Sequence, residues 1–460
     1  MRRVPWTLRA FACVLASASA VAFSASEASA ATGGCTKVTA PSGSDSAPGT
    51  AAAPFRTVQK LVDSLSPGQT GCLRAGSYSE NVEVRSGGTS TARLRVTAYP
   101  GEKATLVGEF EVHKGAPYVV VDHLYLNGRT ADRVSPIVNA HDVTFRNDDV
   151  TNDHTGICFL LGDSNGEWGR ADRARIESNR IHDCGRRDTE LDHGIYVEAS
   201  TGAVIQGNWI YDNSDFGVHL YPDAQRAEVR GNVIDGNGMG VTFSGDGGQA
   251  SSNNRVEGNV LANSRKRWNV ESWWGGSATG RGNVARANCL YASSRSSYYN
   301  EHGGVTTSGG GFTSASNRIA NPRYENGSAN DFRLAAGSGC RAVFYGDPSA
   351  VPGPDGSVHA ASTPRLRPSV RLAAARHSVR RGQRVRLRGR VSRSSIRPGQ
   401  RVLLYVRAGS HRRLVGRVRV SRAGRFVARP RVASRARRLR FRAVVPRVGR
   451  SRAVRVRVRA

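Results

Sequence analysis

The chain has 460 residues, room for two domains, and its 67 Lys and Arg against 36 Asp and Glu give a formal net charge of +31. That charge is unevenly placed: residues 361–460 hold 33 Arg and no Lys, Asp or Glu, leaving about −2 (31 − 33) for residues 1–360. The charge is a property of the tail and not of the repeat region, and no apolar run after the first 30 residues is long enough to span a bilayer.

Residues 1–30 read as a signal peptide, with Arg2 and Arg3 as a basic start, an apolar stretch over Phe11–Ala25 and a small-residue cleavage site at Ala28-Ser29-Ala30. Export is therefore expected, with the mature protein secreted and possible association with the cell wall. Cys13 leaves with the leader, and six cysteines remain, an even number that suits disulfides in an exported chain. Sequence order favours Cys35–Cys72, Cys158–Cys184 and Cys289–Cys340, although six cysteines allow 15 connectivities. After a turn-rich loop at Ala40–Asp45, residues 54–65 place Val58, Leu61, Val62 and Leu65 on one helical face, a candidate cap for the open end of a stacked domain.

Beyond this helix the chain repeats itself. Arg175-Ile176-Glu177-Ser178-Asn179 returns as Val204-Ile205-Gln206-Gly207-Asn208, Val229-Arg230-Gly231-Asn232, Val256-Glu257-Gly258-Asn259 and Val284-Ala285-Arg286-Ala287-Asn288, with Val143–Asn147 opening the series. A period of 24 to 32 residues with two-residue alternation and no helix-length pattern between copies describes the coils of a parallel β-solenoid. The repeated Asn suits a tight turn and a side-chain hydrogen-bonded ladder. A second strand phrase comes after each copy: Gly156-Ile157-Cys158-Phe159, Gly194-Ile195-Tyr196-Val197, Gly217-Val218-His219-Leu220, Gly240-Val241-Thr242-Phe243 and Asn269-Val270-Glu271-Ser272.

The Ser42-Gly43-Ser44-Asp45 opening, the Pro54-Phe55-x-Thr57-Val58-Gln59 helix start, the Arg74-Ala75-Gly76-x-Tyr78 strand and the coils behind them resemble secreted pectate-lyase-like proteins, nearest the family 9 polysaccharide lyases. The resemblance covers roughly residues 35–345 and implies an all-β fold: a right-handed parallel β-helix over 31–345 with an N-terminal capping helix. Residues 346–366, with Val351-Pro352-Gly353-Pro354, read as a linker. Residues 367–460 carry short alternating strands such as Val454–Val458 and resemble a small bacterial immunoglobulin-like β-sandwich with Arg on its outer faces.

Chemistry is expected on the second strand phrase. With Ile157, Ile195, Val218, Val241 and Val270 inward, one outward column is Cys158, Tyr196, His219, Thr242 and Glu271, and the next is Leu160, Glu198, Tyr221, Ser244 and Trp273. Asp192, His193, Asp215, Asp223, Lys266 and Arg267 lie at the strand ends. Aromatic faces suit sugar rings, and acids and imidazoles suit proton transfer. The candidate catalytic residues are His219, Tyr196, Glu198 and Lys266, and the candidate substrate-binding residues are Tyr221, Asp192, His193, Asp215, Glu271, Trp273 and Arg267. The resemblance implies a calcium site and a Lys base on the next coil. The comparable stretch, Asp215–His219, keeps only the first acid, and Thr242 stands where the Lys would fall. Asp215 and Asp223 are the candidate Ca2+ ligands. Hydrolysis would instead pair Glu198 with Asp215 or Asp223. The polar cluster Asp148, Asp149, Asp153 and His154 reads as turn capping.

The resemblance implies an acidic, uronate-containing polysaccharide as partner, cleaved by β-elimination. The Arg-rich domain suits anionic cell-wall or extracellular polymers. A non-catalytic adhesion or carbohydrate-binding rod is the competing expectation. No periodic apolar seam marks an oligomer interface, so a monomer is expected.

Overall fold

The structure is a computed structural model. It describes residues 34–129, 134–187, 189, 191–292, 302–354, 371–375, 378–391, 401–408, 411–421, 425–431, 438–445, 449–450 and 454–459. The expected signal peptide lies outside these residues. Three long sheets of 11, 10 and 9 strands run the length of the first domain. Strands of successive coils pair in parallel, for example Phe145 with Ile176, Ile176 with Ile205, and Ile205 with Val229. Among the described residues of these three sheets, only the short Gln249–Ala250 turns back antiparallel, on Met239–Asp246. The chain is therefore a parallel β-helix. One buried column per sheet fills the interior, including Phe110, Phe145 and Phe159, which pack edge-to-face.

The cap helix is Val58–Asp63, shorter than the expected span. It starts where it does because the Thr57 side chain accepts from the Lys60 amide. The Glu80 carboxylate accepts from the amides of Val58 and Gln59 at 2.9 and 3.0 Å, placing an anion at the helix start. Val58, Leu61 and Val62 close the end of the core.

The repeated Asn forms a ladder. The backbone amide of each member donates to the side-chain oxygen of the next, from Asp148 through Asn179, Asn208, Asn232, Asn259 and Asn288 to Asn317, at 2.8–3.0 Å. Each Asn amide nitrogen in turn donates to a backbone carbonyl of the preceding coil, as Asn208 does to Ile176 at 2.7 Å. The left-handed turn conformation falls on the preceding residue: Asn147, Ser178, Gly207, Gly231, Gly258, Ala287 and Ser316 all have φ between 52° and 67°. This corrects two expectations. The Asn serves as the ladder, not as the strained turn residue, and the ladder is headed by Asp148, not Asn147.

All three expected disulfides form, Cys35–Cys72, Cys158–Cys184 and Cys289–Cys340. The last clamps a strap. Residues 324–353 turn back over the second sheet, where Phe332, Leu334 and Cys340 bury against Trp209, Tyr211, Val233 and Val260. The ring of Tyr345 occupies the space a Cβ on Gly258 would need. Further on, the Gly353 amide donates to Ser178 and Arg180 Nε donates to Pro352, at 2.9 and 2.8 Å. Residues 346–353, expected in the linker, thus lie against the solenoid. No helix among the described residues is long and apolar enough to cross a membrane.

The C-terminal strands form one sheet of three and one of six strands around a shared core that includes Leu387, Leu404, Phe426, Phe441 and Val456. This is a β-sandwich. Its pairing among the described residues is antiparallel except where Ser378–Arg380 runs parallel to Val454–Arg459.

Candidate functional site on the third sheet

Four strands of the third sheet, His193–Thr201, Phe216–Gln225, Met239–Asp246 and Val270–Trp274, carry the expected columns. Tyr196, His219, Thr242 and Glu271 stand in register, and Ser244 pairs with Trp273. One coil earlier the register differs from expectation. Phe159 pairs with Ile195 and Leu160 with Tyr196, so Phe159, not Ile157, is the inward residue and Cys158 is not beside Tyr196. Glycine accounts for part of the missed geometry. Pairing skips Gly194, Gly217 and Gly240, and a Cβ on Gly217 would come within 2.9 Å of the Gly240 carbonyl oxygen. That break in alternation brings Phe216 onto the same face as His219.

The result is a continuous aromatic strip. Phe216 stacks on His219 at 4.0 Å and 2°, and His219 on Tyr221 at 5.1 Å and 12°. Tyr196 lies nearly parallel to both His219 and Tyr221, at 5.8 and 6.1 Å. Trp273 continues the strip 6.3 Å from Tyr221 and is 49% exposed. His219 sits at the floor, with Nδ1 3.4 Å from His193 Nε2 and Nε2 2.9 Å from the Ser244 hydroxyl. Burial, the neighbouring His193 and the Arg267 cation push the His219 pKa well below the usual imidazole value. Burial likewise pushes His193 down to about 4. Burial thus favours the neutral form of both rings, and His193 Nδ1 is buried without a hydrogen-bond partner. The phenols move the other way: burial, then Glu198, pushes Tyr196 up, and burial, then Asp246, raises Tyr221.

The charged candidates are held in pairs. Glu271 accepts from Arg267 at 2.9 Å, and Arg267 covers the Phe216 ring at 5.8 Å. Lys266 forms an ion pair with the fully buried Asp215 and donates to the Thr189 carbonyl at 2.5 Å. Asp215 also accepts from the Asp192 amide at 3.0 Å. Asp192 is bound by Arg186 at 2.9 Å, and although burial opposes it, that guanidinium holds the carboxyl below its ordinary range. Asp223 sits past a bulge, bound by Arg170 at 2.6 Å, and Glu198 accepts from the Ser164 hydroxyl at 2.7 Å.

The strip thus brings together Tyr196, His219, Tyr221, His193, Glu271, Arg267 and Trp273. Asp215, Asp192 and Lys266 form its support, while Asp223 and Glu198 face other partners. Asp215 and Asp223 are each bound to a different cation, and no group of three or more His, Cys, Asp or Glu among the described residues is placed to hold a metal ion. The sequence reading missed Phe216, whose signal was the Gly after it, and Arg186, for which no signal exists in one sequence.

Residues 132–311, which include every coil of the strip, match the family described as periplasmic copper-binding protein (NosD). The chain is a parallel β-helix protein, and that family model covers less than half of it. Pectate lyase PEL9 of Emericella nidulans is 39% identical over 71 residues, 15% of this chain and 17% of that protein. The match spans about a sixth of that relative's length. Among solved structures, pectate lyase Pel9A is similar with a TM-score of 0.46 and 17% identity, covering 67% of this chain and 92% of that one. A rhamnogalacturonan lyase has a TM-score of 0.38 and 14% identity, covering 62% and 87%. These structural likenesses are too distant to bear on activity.

Proposed function

We propose that the strip engages a polysaccharide carrying uronic acids and cleaves it by β-elimination. The observation that carries this reading is the parallel stack Phe216–His219–Tyr221, flanked by Tyr196 and ended by the half-exposed Trp273. Phe216 and His219 form the buried floor of this stack and Trp273 its half-exposed end, and aromatic faces of this kind suit the flat faces of sugar rings.

β-Elimination needs a base for the proton α to the carboxylate, an acid for the leaving oxygen and positive charge for the developing enolate. His219 is the base in this reading: burial favours its neutral ring, whose one lone pair must exchange its contact with Ser244 or His193 for the substrate proton. Lys266, the other basic candidate, is engaged by Asp215. Tyr196 and Tyr221, which hold their protons, supply the acid, and the Arg267 guanidinium at the strip's edge supplies positive charge. The C–H proton passes to His219, the C–O bond breaks to leave an unsaturated sugar, and a phenol proton passes to the departing oxygen. No step runs through a metal ion.

We read the sandwich as immunoglobulin-like and as the part that holds the protein to anionic polymers. The three disulfides suit an exported protein in an oxidising compartment. The test is incubation with pectate, alginate and chondroitin, with and without calcium, read by ultraviolet absorbance of unsaturated ends beside reducing ends. Absorbance lost in His219→Asn supports the reading, and reducing ends without absorbance mean hydrolysis. Silence on every polymer, with glycan still bound, leaves the strip as the recognition face of a non-catalytic protein. That second reading draws support from His219 being only 8% exposed.

A further inference from the structure

The solenoid offers an acidic polymer little long-range attraction. Residues 1–360 carry about −2 (31 − 33), and the charges around the strip are paired, Lys266 with Asp215, Arg267 with Glu271 and Arg186 with Asp192. The sandwich is the opposite, since residues 361–460 contain 33 Arg and no Asp or Glu.

Strand register gives that charge a pattern. Alternation along Arg438–Val445 buries Leu439, Phe441 and Ala443 and leaves Arg440 and Arg442 exposed on the outer face of the six-stranded sheet. Arg455, Arg457 and Arg459 do the same along Val454–Arg459. Across strands, Arg407, Arg440 and Arg455 stand opposite one another on three adjacent strands, with Tyr405 beside Arg442 in the next row. Adjacent strands lie about 4.8 Å apart, close to the advance of a glycan per sugar ring. A chain crossing the strands therefore meets about one guanidinium per sugar, and the planar guanidinium forks match carboxylates.

We propose that the outer face of the six-stranded sheet is a second binding site for the same carboxylate-bearing polysaccharide that the strip takes. The inference rests on the substrate class proposed for the strip. The sandwich gathers the polymer through its field, and the shared chain raises the local concentration of sugar at the solenoid.

The experiment titrates the full chain and an Arg440→Gln/Arg442→Gln/Arg457→Gln variant with polygalacturonate over a range of salt concentrations. Duplex DNA and a neutral glycan serve as competitors, and thermal melting confirms that the variant is folded. The variant should bind roughly tenfold more weakly at low salt, with a shallower salt slope, as for other polyelectrolytes. Equal binding by parent and variant overturns the proposal, as does preference for duplex DNA over polygalacturonate. A Trp273→Ala variant separates the two readings: its loss of product bears on the strip, while the salt-dependent binding removed by the arginine substitutions bears on the sandwich alone.

Discussion

Asp148 shows how much one atom matters inside a ladder. It occupies a position that Asn holds in the next six members, and its Oδ1 accepts the Leu124 amide at 2.8 Å as an Asn oxygen would. Its Oδ2, where the others carry a donating amide, is buried with no partner. Burial, assisted by the nearby Asp122, raises its pKa well above the usual value, so the folded chain holds a proton that the unfolded chain releases. Stability from this group is complete below the unfolded value of about 3.9 and is lost as pH rises through the folded value, by about 1.4 kcal/mol per unit. Asp148→Asn should therefore raise the denaturation midpoint at pH 8 and flatten its pH dependence relative to the parent. Parallel curves for the two proteins count against this account. The buried imidazoles of the strip have the opposite sign. His193, pushed down to about 4, contributes stability above about pH 6.5 that is lost as pH falls toward 4. If His219 is the base, the acid limb of kcat/KM lies below the ordinary imidazole value of about 6.5, and a limb at or above it contradicts the assignment.

The coil is the element on which the fold depends. Asn208→Ala removes the acceptor for the Asn179 amide and the donor to Ile176, leaving buried groups unpaired at a cost of about 1–3 kcal/mol by denaturant titration. Ala287→Gly should stabilise by about 1 kcal/mol, because Ala287 sits at φ 52° in a turn where three other coils place Gly. Much of this element was legible in the sequence, since period, alternation and Asn spacing report local geometry that repeats. The turn strain was misassigned to Asn because one Asn-Gly-rich phrase does not show which residue bends. The skipped glycines hid Phe216 because alternation presumes a regular strand. The pairings of Lys266 with Asp215 and Arg170 with Asp223 join residues 51 and 53 apart, which no local pattern reports.

At the scale of the molecule, the two ends of the solenoid are closed differently. The helix Val58–Asp63 caps one, and near the other the strap folds back over the second sheet, clamped by Cys289–Cys340. Closure of this end by Cys289–Cys340 was legible, but residues 346–353 read as linker because they are Pro- and Gly-rich, yet Gly346 lies against the turn glycine Gly231. Cys289→Ser/Cys340→Ser should lower the melting temperature and increase protease cleavage within residues 324–353, and unchanged cleavage there contradicts the clamp. The central claim is that the strip on the third sheet is where a polyuronate chain is bound. Its most direct measurement is calorimetric titration of uronate oligosaccharides, too short to engage both domains, into the parent and into Tyr221→Ala/Trp273→Ala. The account predicts saturable binding to the parent and at least a tenfold weakening in the variant, given about 1–3 kcal/mol for a lost ring contact. Equal affinity for both proteins would place the polymer elsewhere on the molecule and contradict the claim.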